Sequence, residues 1–349
     1  MRVVLADPPA YTPPYDRALA AALARAGAEV ELVTSRFRFG DVPAADGYAV
    51  RELFYPLSTR VDGRARLALK ALEHPVGLAR LALAQADVVH LQWLAAPEAD
   101  RWLLHTRAPL VFTAHDLLPR RTAHRERLWR RLFGRFARVV VHSERGRRTL
   151  QALGVEESRL RVVPHPVFRS DPPRRDDGRT VLALGVIRPY KGLGDAVRAV
   201  LGVDGARLLV AGDPREPLDG YRSAAGERAE WRLGYLPGGE LERALGEATV
   251  AVFPYRAELD QSGALLQALG AGVPAVVYDV GGLAEPVAAF EAGRVVPAGD
   301  VDGLTAALAE LLGDPAALAA ARAGAGRARD ALTWDAAATA HLELYRELA

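Results

Sequence analysis

The sequence contains no cysteine and no asparagine, and it has one methionine and two lysines among its 349 residues. Without cysteine the chain cannot form a disulfide framework, a thiolate metal site or a cysteine nucleophile. It also lacks any run of 18 apolar residues, and its first residues, MRVVLADPP, hold no apolar stretch of signal-peptide length. These absences predict a cytoplasmic protein without a membrane-spanning helix.

Charge is distributed unevenly along the chain. Residues 1–170 contain 27 arginines and lysines against 17 acidic residues, whereas the remaining residues contain 18 against 26. Such a split indicates that the first half meets an anionic partner, or that the two halves attract each other.

Short apolar runs alternate with segments of helical spacing along the chain, whose length fits two domains. Fully apolar strands between helices are typical of a parallel sheet covered on both faces. The predicted strands are 3–5, 30–33, 88–91, 110–113, 139–141, 181–185, 207–211, 250–253, 275–278 and 294–296. The sequence therefore predicts an α/β fold of two Rossmann-like, doubly wound domains facing across a ligand-binding cleft. The polar, proline-rich segment 169–179 is predicted to link them, and a last helix is predicted at 334–348.

The strongest local signal lies where a predicted strand meets a helix, in Leu184-Gly-Val-Ile-Arg188-Pro-Tyr-Lys191-Gly-Leu-Gly194. Free amides at the helix start, together with Arg188 and Lys191, are suited to holding a diphosphate. Lys191 is one of only two lysines beside 43 arginines, and a compact ammonium suits phosphate oxygens. The alternative interpretation is an ordinary solvated loop.

A second junction of strand and helix spans residues 252–274. The strand is predicted to end at Pro254 and the helix to begin near Ser262, where free amides would hold an anion or a sugar hydroxyl. Glu258 or Asp260 would accept hydrogen bonds from sugar hydroxyls. The alternative is a capped helix whose acids complement the helix dipole.

His115 follows the strand at 110–113, and a Rossmann-type domain keeps its active residues at such strand ends. The alternative is a structural histidine. The candidates for binding an acceptor at other strand ends of the first domain are Tyr11, Tyr15, Asp16, Gln92 and Trp93.

These three motifs, in this order, resemble the family 4 retaining glycosyltransferases, which have the GT-B fold. The resemblance covers nearly the whole chain and extends to Asp87-Val-Val-His-Leu-Gln-Trp93, Arg138-Val-Val-Val-His-Ser143, Val162-Val-Pro-His-Pro166, Leu208-Leu-Val-Ala-Gly212, Leu233-Gly-Tyr-Leu236 and Gly281-Gly-Leu-Ala-Glu285. It implies an acceptor-side domain of residues 1–168 and 333–349, because the last helix of this fold returns to the first domain. Residues 180–332 would then form the nucleotide-sugar domain.

By this resemblance Arg188 and Lys191 bind the donor diphosphate, and His115 lies near the transferred sugar. The other residues that the resemblance places around the donor are Leu236, Gln261, Ser262, Gly263, Ala264, Gln267 and Glu285. The family usually carries two glutamates at a fixed spacing. Here the second falls on Gln267, and Asp260 lies one residue too close to be the first, so Glu258 and Asp260 both remain candidates for the sugar-orienting acid.

No metal and no cofactor besides the nucleotide-sugar is predicted. Asp300-Val-Asp302 resembles a metal-binding acidic pair, but it precedes a helical run, and Asp302 is interpreted as the helix cap. No histidine pair has metal-binding spacing on a predicted helix. Neither a Gly-x-Gly-x-x-Gly segment after the first strand nor a Walker loop supports NAD or P-loop chemistry.

The segment 119–138 holds eight arginines and one glutamate, interleaved with apolar residues. Leu128, Leu132 and Phe136 form one helical stripe, with Trp129 and Phe133 beside it. A basic amphipathic helix can lie on an anionic membrane, and the alternative is a stripe facing the core with a solvated arginine face. No nucleic-acid partner is predicted, because no aromatic-basic or zinc module is present.

The resemblance implies transfer of a sugar from a UDP- or GDP-sugar to an acceptor hydroxyl, in polysaccharide or glycolipid synthesis. Two alternatives remain open at this point: a catalytically silent nucleotide-sugar-binding or scaffold subunit, and a sugar phosphorylase. Because the first domain handles the acceptor in this fold, its positive charge predicts an anionic or lipid-linked acceptor at the inner membrane surface.

Overall fold

The computed structural model describes residues 1–38, 40, 42–119, 121–256 and 261–349, and the chain divides into two compact units. Unit 1 comprises Met1–Pro164 and Trp334–Ala349, and unit 2 comprises His165–Thr333. Each unit contains its own parallel sheet, which confirms the predicted α/β class with two Rossmann-like halves.

The sheet of unit 1 has seven parallel strands. They are β1 (Arg2–Asp7), β2 (Glu29–Ser35), β3 (Ala49–Phe54), β4 (Val88–Leu91), β5 (Leu110–Thr113), β6 (Arg138–Val141) and β7 (Leu160–Val162). Their spatial order is β3-β2-β1-β4-β5-β6-β7, so the winding direction reverses between β1 and β4. Alternate residues of these strands pack into two separate apolar clusters, one on each face, which is why the strands are apolar throughout.

Helices cover both faces of this sheet. They are α1 (Pro13–Arg25), α2 (Gly63–Ala82), α3 (Pro97–Leu103), α4 (Glu126–Phe133), α5 (Glu144–Ala152) and the C-terminal helix (Trp334–Arg346). The C-terminal helix packs on α1, and a buried hydrogen bond of 2.6 Å joins the Tyr345 hydroxyl to Nδ1 of His90 on β4. This contact ties the end of the chain to the centre of the first sheet.

The sheet of unit 2 has six parallel strands, β8 (Thr180–Leu184), β9 (Arg207–Gly212), β10 (Ala229–Leu233), β11 (Val250–Phe253), β12 (Ala275–Tyr278) and β13 (Gly293–Val296). Their order is β10-β9-β8-β11-β12-β13, with the reversal between β8 and β11. In such sheets a crevice opens at the carboxyl ends of the two strands where the order reverses.

The helices of unit 2 are α6 (Leu193–Leu201), α7 (Asp219–Ala225), α8 (Gly238–Glu247), α9 (Gly263–Gly270), α10 (Ala284–Phe290), α11 (Val301–Gly313) and α12 (Pro315–Ala331). The cap of α11 is Asp300, whose carboxylate accepts from the Gly303 amide at 2.8 Å, so the assignment of that role to Asp302 was wrong. In the described part of the chain no single helix is long and apolar enough to cross a bilayer. Only α11 and α12 taken together, bent by 99°, reach that length and composition.

The segment 169–179 packs on unit 2 instead of running free between the units. The Ser170 amide donates to the Gly270 carbonyl at 3.2 Å, and the Arg175 amide donates to the Gly246 carbonyl at 2.9 Å. Glycine is required at both positions, because a Cβ at Gly246 would lie 2.5 Å from the Pro173 carbonyl oxygen and one at Gly270 would lie 2.2 Å from the carbonyl oxygen of Phe168, just before the segment. The break between the units therefore falls at residues 164–165, before the predicted linker.

The apolar stripe of segment 119–138 faces the core of unit 1. Leu128, Trp129, Leu132, Phe133 and Phe136 are all buried there, together with residues of the central strands. Of the two interpretations of this segment, the core-facing stripe is confirmed, and its apolar side chains are not available to a membrane. Because these side chains are buried against the sheet, the arginines on the opposite face of α4 are exposed to water. Arg120, at the start of the segment, lies outside the described residues.

Candidate functional site

The main candidate site of unit 2 lies at the carboxyl ends of β8 and β11. After β8 the chain turns at Gly185, which has a φ of +104°, and then forms a 3₁₀ turn over Pro189–Lys191. Gly192 follows with a φ of +69°, and a Cβ there would lie 1.9 Å from the carbonyl oxygen of Pro254, just after β11. Gly185 and Gly192 thus allow the first predicted motif, residues 184–194, to pack against the second, residues 252–274.

A polar chain joins the two motifs. The Lys191 ammonium donates to the Tyr255 hydroxyl at 2.9 Å, and the hydroxyls of Tyr255 and Ser262 are 3.0 Å apart. The Ser262 hydroxyl in turn accepts from the amide of Leu265 and so caps α9. The ammonium is therefore held at the N-terminus of a helix, where the free amides and the dipole favour an anion.

Gly185 and Ala264 border the same space as the Lys191 ammonium. A Cβ placed at Gly185 would come within 3.2 Å of both Lys191 Nζ and Ala264 Cβ. Any side chain at this position would crowd the ammonium. A ligand that approaches Lys191 through this space therefore meets only backbone atoms and small side chains.

Arg188 supplies a second cation next to this space. It precedes the 3₁₀ turn and is exposed, and within the described ranges no hydrogen bond or ion pair engages its guanidinium. Arg198 and Arg256, in contrast, both bind the buried carboxylate of Asp195. Arg188 and Lys191 are thus positioned to neutralise a diphosphate, whereas Arg198 and Arg256 already have a carboxylate partner.

The remaining donor-side residues occupy the surrounding elements. Gln261 donates from Nε2 to the Gly282 carbonyl at 2.9 Å, while its Oε1 is buried without a hydrogen-bond partner among the described residues. Gly263 and Gln267 lie on α9, Glu285 lies in the first turn of α10, and Leu236 packs on the core before α8. Glu258 and Asp260 lie outside the described residues.

Tyr255 is the site residue that the sequence analysis missed. It is buried, and its hydroxyl is the link between Lys191 and Ser262. Its position directly after Pro254, at the carboxyl end of a central strand, was the available signal.

The candidate site of unit 1 lies where its own sheet reverses, at the ends of β1 and β4. Asp7 ends β1 and Asp16 lies in the first turn of α1, and both carboxyl groups are buried and hydrogen-bonded to each other. Burial raises the pKa of Asp16 well above its ordinary value, and the neighbouring charge of Asp7 raises it further. Burial also raises the pKa of Asp7. Two buried acids in contact hold a proton between them, as like-charged carboxylates cannot both ionise there.

His115 lies beside this acid pair in a cluster of rings. Its ring stacks on Trp93 with centroids 5.3 Å apart and meets the edge of Tyr15 at 4.6 Å. Trp93 is fixed by a 2.8 Å hydrogen bond from its indole to the Thr12 hydroxyl, and Tyr11 packs on its other side. All five predicted acceptor-side residues and His115 are therefore close to one another in the structure.

Hydrogen bonds link His115 to two neighbouring side chains. His142 donates from Nδ1 to the Val163 carbonyl at 2.9 Å, so its neutral form accepts at Nε2, which is 3.4 Å from His115 Nδ1. Gln92 Oε1 lies 3.0 Å from His115 Nε2. Exchanging the amide oxygen and nitrogen of Gln92 would instead place its NH₂ group there, a group that otherwise has no partner among the described residues.

The acid pair predicts a pH effect on stability. Because the folded pKa of Asp16 lies above the ordinary value of 3.8, its stabilising contribution is present at acid pH and is lost as the pH rises above that value. Asp16→Asn keeps a hydrogen-bond donor and never ionises. The melting temperature of Asp16→Asn minus that of the parent should therefore increase as the pH is raised from about 4 to about 8.

The matched control is Asp46→Asn, which removes an exposed acid of the same unit. The difference in melting temperature between Asp46→Asn and the parent should change little over the same pH range. A difference between parent and Asp16→Asn that does not vary with pH would contradict the shared proton.

A metal centre is not evident in the part of the chain that the structure describes. No group of three or more histidine, aspartate or glutamate side chains there is placed to hold a metal ion. The proposal that the reaction needs no metal therefore remains a prediction.

Comparison with known proteins identifies the family. Residues 17–169 match the model of Glycosyltransferase Family 4, and residues 178–314 match that of Glycosyl transferases group 1. A D-inositol 3-phosphate glycosyltransferase from Mycolicibacterium paratuberculosis is 30% identical over 93% of this chain and 82% of its own length. The chain belongs to glycosyltransferase family 4. This enzyme is also similar to a glycogen synthase from Mycobacterium tuberculosis, with 34% identity over 47% of the chain and 42% of the relative.

Solved structures of known glycosyltransferases share the fold of this one. Sucrose-phosphate synthase from Thermosynechococcus elongatus superposes with a TM-score of 0.79 and 21% identity, covering 100% of this chain and 99% of its own. HepE from Anabaena, solved with UDP and glucose, has a TM-score of 0.73 and 15% identity, with 100% of both chains covered. These matches establish the GT-B fold for the glycosyltransferase.

Proposed function

We propose that this glycosyltransferase moves a sugar from a nucleoside-diphosphate sugar, with UDP or GDP as the carrier, to an acceptor hydroxyl with retention of anomeric configuration. The observation that carries the donor assignment is the chain from Lys191 through Tyr255 to Ser262 at the N-terminus of α9. It lies where the second sheet reverses, the position at which such sheets bind nucleotides. The HepE structures, which contain UDP or UDP-glucose, support the same class of donor.

The proposed chemistry needs little from the protein beyond positioning and charge. The bond between the anomeric carbon and the diphosphate breaks, and the acceptor oxygen bonds to that carbon from the same face. The acceptor proton passes to an oxygen of the departing phosphate. Lys191, Arg188 and the amides of α9 stabilise the charge that develops on the diphosphate, and in many enzymes such electrostatic stabilisation accounts for most of the rate enhancement.

We further propose that the acceptor is anionic and binds to unit 1. The first 170 residues carry the excess of basic residues, and the relative from Mycolicibacterium paratuberculosis is, by its name, a D-inositol 3-phosphate glycosyltransferase. The same charge would serve a lipid-linked acceptor. Contact with a membrane through segment 119–138 would then rest on its exposed arginines alone, since its apolar stripe is buried.

Two measurements test the donor and the stereochemistry. A thermal-shift panel of nucleoside diphosphates should identify one carrier, because a ligand at about 100 times its dissociation constant stabilises the protein by about 2.7 kcal/mol. Proton NMR of the product made from the matching α-linked donor should then show the α anomer. A β-linked product, or no stabilisation by any diphosphate, would contradict the proposal.

Variants around α9 separate sugar recognition from nucleotide recognition. Replacing Asp260 or Glu258 by its amide, whichever orients the sugar, should lower activity with the nucleotide-sugar and leave binding of the bare nucleotide unchanged. Gln267→Ala should weaken binding of both by about 0.5–1.5 kcal/mol, the contribution of a neutral hydrogen bond to the ribose. Isothermal titration with diphosphate and with nucleotide-sugar distinguishes the two patterns, and the reverse pattern would mean that these residues are assigned to the wrong parts of the donor.

A further inference from the structure

A second lysine-containing cavity lies in unit 1, at the ends of β2 and β3. We call it the basic cavity, and four cations line it: Arg36, Arg38, Arg66 and Lys70. The backbone between β3 and α2 forms another wall and contributes Ser58 and Thr59. The only two lysines of the chain thus each line a cavity at the carboxyl edge of a parallel sheet.

Among the described residues, one of the four cations forms an ion pair: Arg38 binds the Asp62 carboxylate at 2.7 Å. Arg36, Arg66 and Lys70 form no hydrogen bond or ion pair with a carboxylate there, although the charge of Asp62 acts on Arg66 and that of Asp7 acts on Lys70 at longer range. Four cations around a concave space, of which one is paired directly with a carboxylate, favour an anion as the ligand.

The environment of Lys70 is consistent with that interpretation. Its ammonium lies 4.6 Å from the centre of the Tyr55 ring, and the side chain is half-buried. Burial lowers the pKa of Lys70 and the positive charge of Arg66 lowers it further, while the charge of Asp7 opposes both effects. Binding of an anion between Lys70 and Arg66 would relieve this repulsion.

The wall of the basic cavity is rigid. Tyr55 has a φ of +57°, an unfavourable conformation for a residue with a side chain, and its carbonyl accepts from both the amide and the hydroxyl of Thr59. Its hydroxyl is 2.7 Å from Nδ1 of His74, whose Nε2 is 2.5 Å from the buried Asp100 carboxylate. Backbone strain that is held by such contacts is typical of a preorganised ligand site.

The loop of Ser58 is fixed from the other side. Glu73 on α2 accepts from the amides of Leu57 and Ser58 at 2.6 and 3.1 Å. Both oxygens of this carboxylate therefore accept hydrogen bonds from the loop, and these bonds stabilise its negative charge. The hydroxyls at the cavity wall are held in place before any ligand binds.

A neighbouring cavity supplies groups that suit sugar-like hydroxyls. It shares Ala10, Ser35, Arg36 and Phe37 with the basic cavity, and it is also lined by Thr34 and by Asp16 of the acid pair. The carboxyl groups of Asp16 and Glu52 and the hydroxyls of Thr34 and Ser35 lie on one side, and the cations of the basic cavity lie on the other. This arrangement matches a ligand that carries hydroxyls next to a phosphate.

We propose that the basic cavity binds the phosphate of a polyol phosphate monoester, with Lys70, Arg66 and Arg36 as its cations and the ligand's hydroxyls directed to the neighbouring cavity. This inference rests on the proposed function in one respect, namely that the bound polyol phosphate is the acceptor. The binding site itself does not depend on catalysis.

The test measures binding to the full chain by isothermal titration, without any nucleotide. Glycerol 3-phosphate and inorganic phosphate should bind, and glycerol should not. Lys70→Gln and Arg66→Gln should each weaken glycerol 3-phosphate binding by about tenfold or more, the effect of removing one charge-assisted hydrogen bond. Arg64→Gln is the matched control, because Arg64 lies on the same helix, is exposed and does not line the cavity. It should change the affinity less than about twofold.

Folding and the source of the phosphate are controlled separately. Each variant should keep the circular dichroism spectrum of the parent and its affinity for nucleoside diphosphates. A further experiment measures binding of the protein to vesicles that contain phosphatidylglycerol. If the parent binds these vesicles but not free glycerol 3-phosphate, and Lys70→Gln does not bind the vesicles, the phosphate belongs to a lipid headgroup. Competition by free glycerol 3-phosphate assigns it to a soluble ligand.

Two results would overturn the proposal. One is an absence of binding to glycerol 3-phosphate, inorganic phosphate and phosphatidylglycerol vesicles alike. The other is an equal loss of binding in Arg64→Gln and Lys70→Gln, which would reveal a nonspecific charge effect. If phosphate binding follows the cavity variants while no nucleoside diphosphate binds, the subsite stands and the proposed function fails.

Discussion

Lys191→Ala is expected to reduce the affinity for the nucleoside diphosphate at least about tenfold and to reduce turnover further. A charge-assisted hydrogen bond to phosphate contributes about 1.5–3 kcal/mol, and the departing diphosphate gains charge in the transition state. The variant also loses the 2.9 Å hydrogen bond to Tyr255, so the N-terminus of α9 loses its neighbouring cation. Titration calorimetry and initial rates with the matching nucleotide-sugar measure the two effects.

Arg188→Ala should act in the same direction, and Arg207→Ala is the matched control. Arg207 begins β9, is exposed and lies at the opposite, amino end of the same sheet. Loss of its charge should leave binding of the diphosphate nearly unchanged, and all three variants should unfold at nearly the parent's temperature. Unchanged diphosphate affinity in both Lys191→Ala and Arg188→Ala would remove the basis for the donor site.

Leu132→Ala is expected to destabilise the protein by about 2–5 kcal/mol. The side chain is fully buried in the core of unit 1, so its loss leaves a cavity among the aromatic rings of α4 and the central strands. Chemical denaturation followed by circular dichroism measures the change. The variant should bind diphosphate normally below its melting temperature, because the proposed nucleotide site consists of residues of unit 2.

The control for Leu132→Ala is Arg131→Gln, which changes an exposed residue of the same helix. An exposed substitution of this kind should change stability by no more than about 0.5 kcal/mol. If Arg131→Gln destabilised the protein as much as Leu132→Ala, the assignment of the apolar stripe to the core would be contradicted.

The central strands of both sheets were predictable from the sequence because they are buried on both faces. Each is a short run made mostly of valine, leucine and alanine, a pattern that leaves little choice of structure. Three strands were not predicted: β3, β7 and β10. All three lie at the edge of a sheet and include partly exposed or polar positions, so only pairing with a neighbouring strand defines them.

The candidate sites were partly predictable for a similar reason. In a parallel sheet the carboxyl ends of the strands meet at one edge, so Arg188, Lys191 and Ser262 could be assigned to one region from the sequence alone. The contact of Lys191 with Tyr255 could not, because it joins residues 64 positions apart through side-chain geometry. Asp16 was predicted as an acceptor-side residue, but its pairing with Asp7 was missed, since nothing in the sequence reveals that both carboxyl groups are buried together.

The sequence by itself thus determined the α/β class and the two-part organisation, because apolar periodicity and turn residues act locally and recur in order along the chain. The family followed from the resemblance of its motifs. The tertiary structure decided which side of a helix is covered, as α4 demonstrates. A stripe of leucine and aromatic residues beside arginines is compatible with a membrane or with a core, and only the presence of an apolar sheet beneath α4 distinguishes them. It also decided which cations form ion pairs: an arginine in the sequence carries the same charge everywhere, and only its distance from a carboxylate separates Arg38, which is paired with Asp62, from the other cations of the basic cavity.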